Sequence, residues 1–254
     1  MTNKNDDIPS TNEVVTVDVL DASYPLLSIL REKCAGTYAH SKNVASLLEA
    51  LGADLKLNIT LLKIAGQYHD IGKITYPRYF SENQTDEDGN PHDDLEPHIS
   101  HKIITSHVGN TAQILINDDN IPIEVIKWCT QHHGNSVLRY FYDKSGSKIE
   151  DTYRYNCAPP SSLEAGLLMI CDNLEATCRS LYQHDKLDDT AKVVDTTFER
   201  LMADRQLDEI ELPKLSYIRR IKEILSRELN SMYKAKRIDY DKAREDNSNA
   251  VDNK

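Results

Sequence analysis

GQYHDIGKITYPRYF, residues 66–80, sets His69 and Asp70 side by side and follows them with Gly72 and Lys73. A solvated turn accounts for the polar residues, but not for Leu61, Leu62, Ile64 and Ala65 leading in at helical spacing. Such a run predicts a helix packed on a core, with His69 continuing the line of Leu62 and Ala65. An imidazole and a carboxylate carried into a core need partners there. The other histidines are where to look for them.

His40 shares a helical face with Val44, Leu47 and Leu51, and so points inward. His107 lies near the middle of a stripe made by Ile103, Ile104, Thr111 and Ile114, with His101 at its edge and His98 nearly opposite its centre. In IKWCTQHHGN the helix ends on His132 and His133. Neighbours on a helix diverge by about 100°, so both reach one cavity only if it lies off the helix end, where Gly134 releases the chain. Asp172 sits among Ala165, Leu168, Met169 and Ala176. Any one of these can be a satisfied core residue. Together, five inward histidines and two inward aspartates from five helices carry more polar atoms than protein partners can satisfy. Divalent cations take neutral imidazole and carboxylate together, and a bridging Asp70 would let two ions share the set. No HExxH motif and no Glu-x-x-His pair is present, which argues against a zinc-protease helix and a ferritin-like di-iron bundle. His98 and His101 read as a surface pair, and His92 and His184 carry no ligand signal.

Composition narrows the rest. The 254 residues are 39% hydrophobic, enough for a sizeable core, and no run nears the roughly 20 apolar residues of a membrane helix. The N-terminus lacks signal-peptide features and the five cysteines form no CxxC pair, which points to the cytoplasm. A formal charge of −11 argues against duplex nucleic acid as a partner, whereas a small phosphate ligand is compatible if cations supply positive charge.

Apolar spacing predicts an all-α domain over 21–240 between polar, aperiodic tails at 1–20 and 241–254. Thr37 is expected to cap a helix that Gly52 ends, and Asp54 a second reaching His69. A long loop is expected over 81–97, then helices at about 97–117, 122–133, 136–143, 161–183, 188–204 and 214–233. No alternating strand pattern and no internal repeat stands out.

The ordered set His40, His69-Asp70, His107, His132-His133, Asp172 resembles the H…HD…H…HH…D signature of the HD superfamily of metal-dependent phosphohydrolases. More narrowly, YPLLSILREKCAGTYAHS, YHDIGKITYPRYFSENQ, NPHDDLEPHISHKIITSHV, QHHGNSVLRYFY and CDNLEATCRSL are similar to the cytoplasmic HD domain of seven-transmembrane, PgpH-type cyclic di-AMP phosphodiesterases. The likeness runs from about Tyr24 to Tyr240. It implies an HD-domain helical bundle around a dinuclear iron or manganese site, with the HD aspartate bridging. His40, His69, Asp70 and Asp172 would hold one ion, and Asp70, His107, His132 and His133 the other. The implied reaction is hydrolysis of cyclic di-AMP to linear pApA, with Asp70 catalytic and Lys73 a candidate for steadying phosphoryl charge. Arg139, Tyr140, Tyr142 and Arg179 are candidates for facing the nucleotide. The HHExxDGxGYP signature of cyclic di-GMP phosphodiesterases is absent, the chain reading HHGNSVLRY, and Ala35 and Ala39 stand where the family usually has proline and a second histidine. The alternatives are an HD phosphohydrolase acting on another nucleotide or a linear oligonucleotide, and a non-catalytic nucleotide-binding signalling domain. The parent protein of such a domain can be membrane-anchored.

Overall fold

Residues 163–183 form the helix around which the others gather. In the computed structural model, which describes residues 18–85 and 89–251, this helix buries residues on nearly every side, from Ala165 through Leu168, Cys171 and Leu174 to Cys178. A helix that is apolar almost all round belongs at the centre of a bundle. Ser162 starts it, its side chain accepting from the Ala165 amide.

In chain order the helices are α1 (Pro25–Lys33), α2 (Ala35–Leu55), α3 (Ile59–Tyr68), α4 (Pro97–Leu115), α5 (Ile123–Gln131), α6 (Arg139–Ser145), α7 (Leu163–Gln183), α8 (Thr190–Ala203) and α9 (Ser216–Val251). Short 3-10 turns at Ile71–Thr75, Pro77–Tyr79, Ser81–Asn83 and Glu150–Tyr153 link them. The described residues contain no strand, only an isolated bridge between Val137 and Arg154. The central α7 packs against α2, α3, α5, α8 and α9, while α4 lies along the 3-10 turn that follows α3. The fold is the all-α bundle the apolar spacing predicts.

Several local expectations are corrected. Thr37 does not cap α2: it is buried in the first turn, where its hydroxyl donates to Glu82 Oε1 at 2.9 Å. Gly52 does not end that helix, which runs to Leu55 and stops at Lys56 in the left-handed region. Asn58, not Asp54, caps α3, and Asp54 pairs instead with Arg220 of α9 at 2.7 Å. The short α1 went unforeseen because only Leu27 and Leu30 are fully buried along it. Residues 1–17 and 252–254 of the expected tails lie outside the described residues, whereas Val19 is already buried in the core. At the other end the backbone of α9 continues to Val251, past the limit of about 233. No glycine or proline interrupts that stretch.

Candidate metal centre

The HD doublet reaches the interior because the chain after it lies directly against α4. A Cβ on Gly72 would stand 2.1 Å from the His107 carbonyl oxygen, so only glycine permits that approach. The Gly72 amide donates to Thr111 Oγ1 at 2.9 Å, and the same hydroxyl donates to the His69 carbonyl at 3.1 Å. Thr111 thus fastens both sides of Asp70 to the helix that carries His107. His132 closes the C-terminus of α5, and Gly134 at φ 52° turns the chain so that His133 stays beside it, ring centroids 4.0 Å apart.

All seven expected ligands converge. Asp70, His107, His132 and His133 form one group, and His40, His69, Asp70 and Asp172 the other, each with one donor atom per residue within 4.8 Å of the rest. Asp70 is divided between them. Its Oδ1 lies 3.2 Å from His107 Nε2 and 3.6 Å from His132 Nε2, and its Oδ2 3.3 Å from His69 Nε2 and 3.9 Å from His40 Nε2. Asp172 Oδ1 is 3.0 Å from His40 Nε2, and its Oδ2 3.8 Å from His133 Nδ1.

Four of the five rings are held in one tautomer. Nδ1–H of His69, His107 and His132 donates to the carbonyls of Gly66, Ile104 and Cys129 at 3.0, 2.6 and 2.5 Å. His40 donates its Nδ1–H to the Glu175 carboxylate. Each Nε2 then faces the cluster as a lone pair. His107 Nε2 and His132 Nε2 lie 3.4 Å apart with no hydrogen to share, and buried His69 Nε2 and Asp70 Oδ1 have no satisfactory hydrogen bond. Orphaned acceptors turned on one another are what divalent cations satisfy, and imidazole with carboxylate is a suitable donor set. Burial acts to raise the Asp70 carboxyl, but the neighbouring Lys73 ammonium holds it well below its ordinary value.

Lys73 is not a solvated lysine. Its ammonium lies 2.7 Å from both Asp70 Oδ2 and Glu82 Oε1, and 4.9 Å from the centre of the Phe80 ring. Burial opposes its charge, yet the two carboxylates raise it above the usual lysine value. Glu82, whose burial alone would raise it, is brought down to about 2 by Lys73.

A cavity of about 500 Å³ opens over the cluster, lined by Lys73, Phe80, Ile104, Tyr155, Asn173 and Arg179 along with four of the expected ligands, His40, His107, His133 and Asp172. Of the four residues expected to face a nucleotide, Arg179 lines it. Arg139, Tyr140 and Tyr142 do not: they lie on α6, where Arg139 pairs with Glu150 at 2.8 Å, Tyr140 is exposed and Tyr142 packs on Tyr153. The α6 prediction rested on residue type alone. His98 is exposed, His101 bonds the Arg154 carbonyl, and His92 bonds the Tyr79 carbonyl, so none joins the cluster. Three residues at the site escaped sequence reasoning. Glu175 was detectable, since it sits three residues after Asp172 on one helical face. Glu82 and Tyr155, the latter stacked on His133 with centroids 4.3 Å apart, lie in irregular stretches with no period to reveal them.

Fold and site together define a class. The chain belongs to the HD domain family, whose model matches residues 37–177. It is 35% identical over 221 residues to the cyclic-di-AMP phosphodiesterase PgpH of Listeria monocytogenes, a match covering 85% of this chain and 30% of that protein. The PgpH of Bacillus subtilis is 35% identical over 200 residues, covering 77% and 28%. The chain therefore spans under a third of the length of these curated relatives. Among solved structures, the L. monocytogenes PgpH HD domain matches with a TM-score of 0.75 at 35% identity, covering 83% of this chain and 99% of that one. The same domain in complex with cyclic di-AMP gives 0.74, covering 82% and 97%. Among the described residues no helix is long and apolar enough to cross a membrane.

Proposed function

We propose that this chain is a metal-dependent phosphodiesterase that hydrolyses cyclic di-AMP to linear pApA. The observation that carries the reading is the pair of four-residue groups sharing Asp70 at the floor of a 500 Å³ cavity. His40, His69, Asp70 and Asp172 would hold one divalent cation, and Asp70, His107, His132 and His133 a second, iron or manganese by likeness to the family. When bound, such a pair activates water near neutral pH and neutralises charge on the phosphoryl oxygens.

The protein's own residues do the positioning. Asp70 directs one oxygen to each group and is held in place by Lys73. An ammonium has three N–H donors. Two of those on Lys73 serve Asp70 and Glu82, and the third is left for a phosphoryl oxygen in the cavity that Lys73 lines. Phe80, Ile104 and Tyr155 offer flat apolar surface for adenine, with Asn173 and Gln183 supplying donors and acceptors. Arg179, which lines the same cavity, suits the second phosphate. Hydrolysis adds water across one P–O3′ bond, leaving a 5′-phosphate on one nucleotide and a 3′-hydroxyl on the other. Opening the ring relaxes the geometry that held the diester over the cluster, so turnover stops at pApA.

Support for the substrate comes from the L. monocytogenes domain solved with cyclic di-AMP, to which this chain is similar. The cytoplasm is the proposed compartment, in keeping with five cysteines that form no disulfide. The test is to incubate manganese- or iron-loaded protein with cyclic di-AMP, cyclic di-GMP and pApA and resolve products over time. Cyclic di-AMP should be consumed fastest with pApA accumulating. Faster cleavage of cyclic di-GMP would overturn the base preference, and AMP released without pApA the single cut.

A further inference from the structure

Four of the five clustered histidines have a hydrogen-bonded Nδ1–H, but they are not braced alike. Those of His69, His107 and His132 rest on neutral backbone carbonyls three residues back on their own segments. That of His40 rests on Glu175, a fully buried carboxylate. Glu175 is itself fixed on several sides. Its Oε1 accepts from Asn43 Nδ2 at 2.7 Å and from the Tyr233 hydroxyl of α9 at 3.3 Å, and its Oε2 accepts from Arg179 Nε at 3.3 Å.

A carboxylate behind an imidazole fixes its tautomer and makes the other nitrogen a better donor. The charge is also uneven. The group containing His40 has Asp172 and its share of Asp70 as donors, with Glu175 behind them, whereas the group containing His107 has only its share of Asp70 beside three neutral imidazoles. Lys73 lies 2.7 Å from the Asp70 oxygen on this side but is itself paired with Glu82, and Arg179 offsets part of the Glu175 charge, though its side chain is 23% exposed and screened by solvent, while that of Glu175 is 0% exposed. From this geometry we infer that Glu175 is a positioning residue that makes the two cation sites unequal, so that the first and tighter ion binds among His40, His69, Asp70 and Asp172.

The inference rests on the dinuclear reading above, and the experiment separates the two. Metal-free protein is titrated calorimetrically with Mn²⁺, and crystals loaded with one equivalent are measured at the manganese absorption edge. Two separated steps should appear, with the single equivalent lying in the His40 group. Glu175→Gln keeps the shape and removes the charge, and should weaken the first step by roughly 10- to 100-fold while shifting the second by less than about threefold. Asn43→Ala and Tyr233→Phe leave Glu175 charged but less firmly held, and should weaken the first step a few-fold, with circular dichroism confirming the fold. Two equal steps in the unaltered protein, or equal weakening of both steps in folded variants, would overturn the inference and leave the dinuclear reading standing. Failure of the unaltered protein to bind two ions at all would remove that reading, and with it the inference.

Discussion

Asp70 is the residue common to both four-residue groups, with an oxygen 3.2 Å from His107 Nε2 and the other 3.3 Å from His69 Nε2. Removing it takes a donor from two sites at once. Asp70→Ala should lower turnover by roughly 10³-fold or more and leave fewer than two ions bound, with helical content unchanged. Elemental analysis and circular dichroism on one preparation check this, and two retained ions with normal turnover would remove the bridging role. Position on α4 gives a second contrast. His107 is buried in the cluster and His98 is exposed two and a half turns earlier, on the opposite face, so His107→Ala should lose metal and His98→Ala should not. The reverse result would mean that α4 turns its other face to the cluster.

Among the elements, the turns between α3 and α4 matter most. Gly72→Ala would push a methyl against the His107 carbonyl and the Thr111 amide, at 2.1 and 2.4 Å. Both are helix backbone and cannot step aside, so the variant should be destabilised by about 1–3 kcal/mol and lose activity with every ligand intact. Denaturant unfolding beside a metal titration would show it. Farther along, Glu82 closes the same segment onto α2 through Thr37 and onto Asp70 through Lys73. Burial works to raise its carboxyl, but Lys73 outweighs burial and lowers it from 4.5 to about 2. A group whose folded pKa is depressed contributes stability above its unfolded value and loses it as pH falls toward the folded one. Glu82→Gln should therefore cost on the order of 2–3 kcal/mol at pH 7, with the gap from the unaltered protein closing between about pH 4.5 and 2. A gap that stays constant across that window would show that the ion pair contributes no net stability.

At the scale of the molecule, the proposed metal centre would link ion binding to the fold, because its residues on α2, α4, α5 and α7 meet at one point. Ions that bind only the folded chain stabilise it by mass action, about 4 kcal/mol at a thousandfold excess over Kd. Chelation should lower the melting temperature and Mn²⁺ restore it. The helices that build the cluster could be read from apolar spacing, and the ligands from histidines falling on those stripes, because a 3.6-residue period shows which way a side chain faces. What stayed hidden lacks a period or depends on approach. Nothing local reveals that Glu82 folds back onto Lys73, that Tyr155 stacks on His133, or that α6 carries Tyr140 away from the cavity. Glu175 lies between: its spacing from Asp172 put it on the right face, but only the packing of α2 beside α7 identifies His40 as its partner.

If seven residues of one bundle hold two cations over which a cyclic dinucleotide is opened, activity must follow the occupancy of both sites. The most direct test is the rate of cyclic di-AMP hydrolysis as Mn²⁺ is added stepwise to metal-free protein. The rate should rise to a plateau at two equivalents per chain, with pApA as product, and Asp70→Ala should stay near background throughout. A plateau at one equivalent, or hydrolysis by protein stripped of metal, would rule out a two-cation centre.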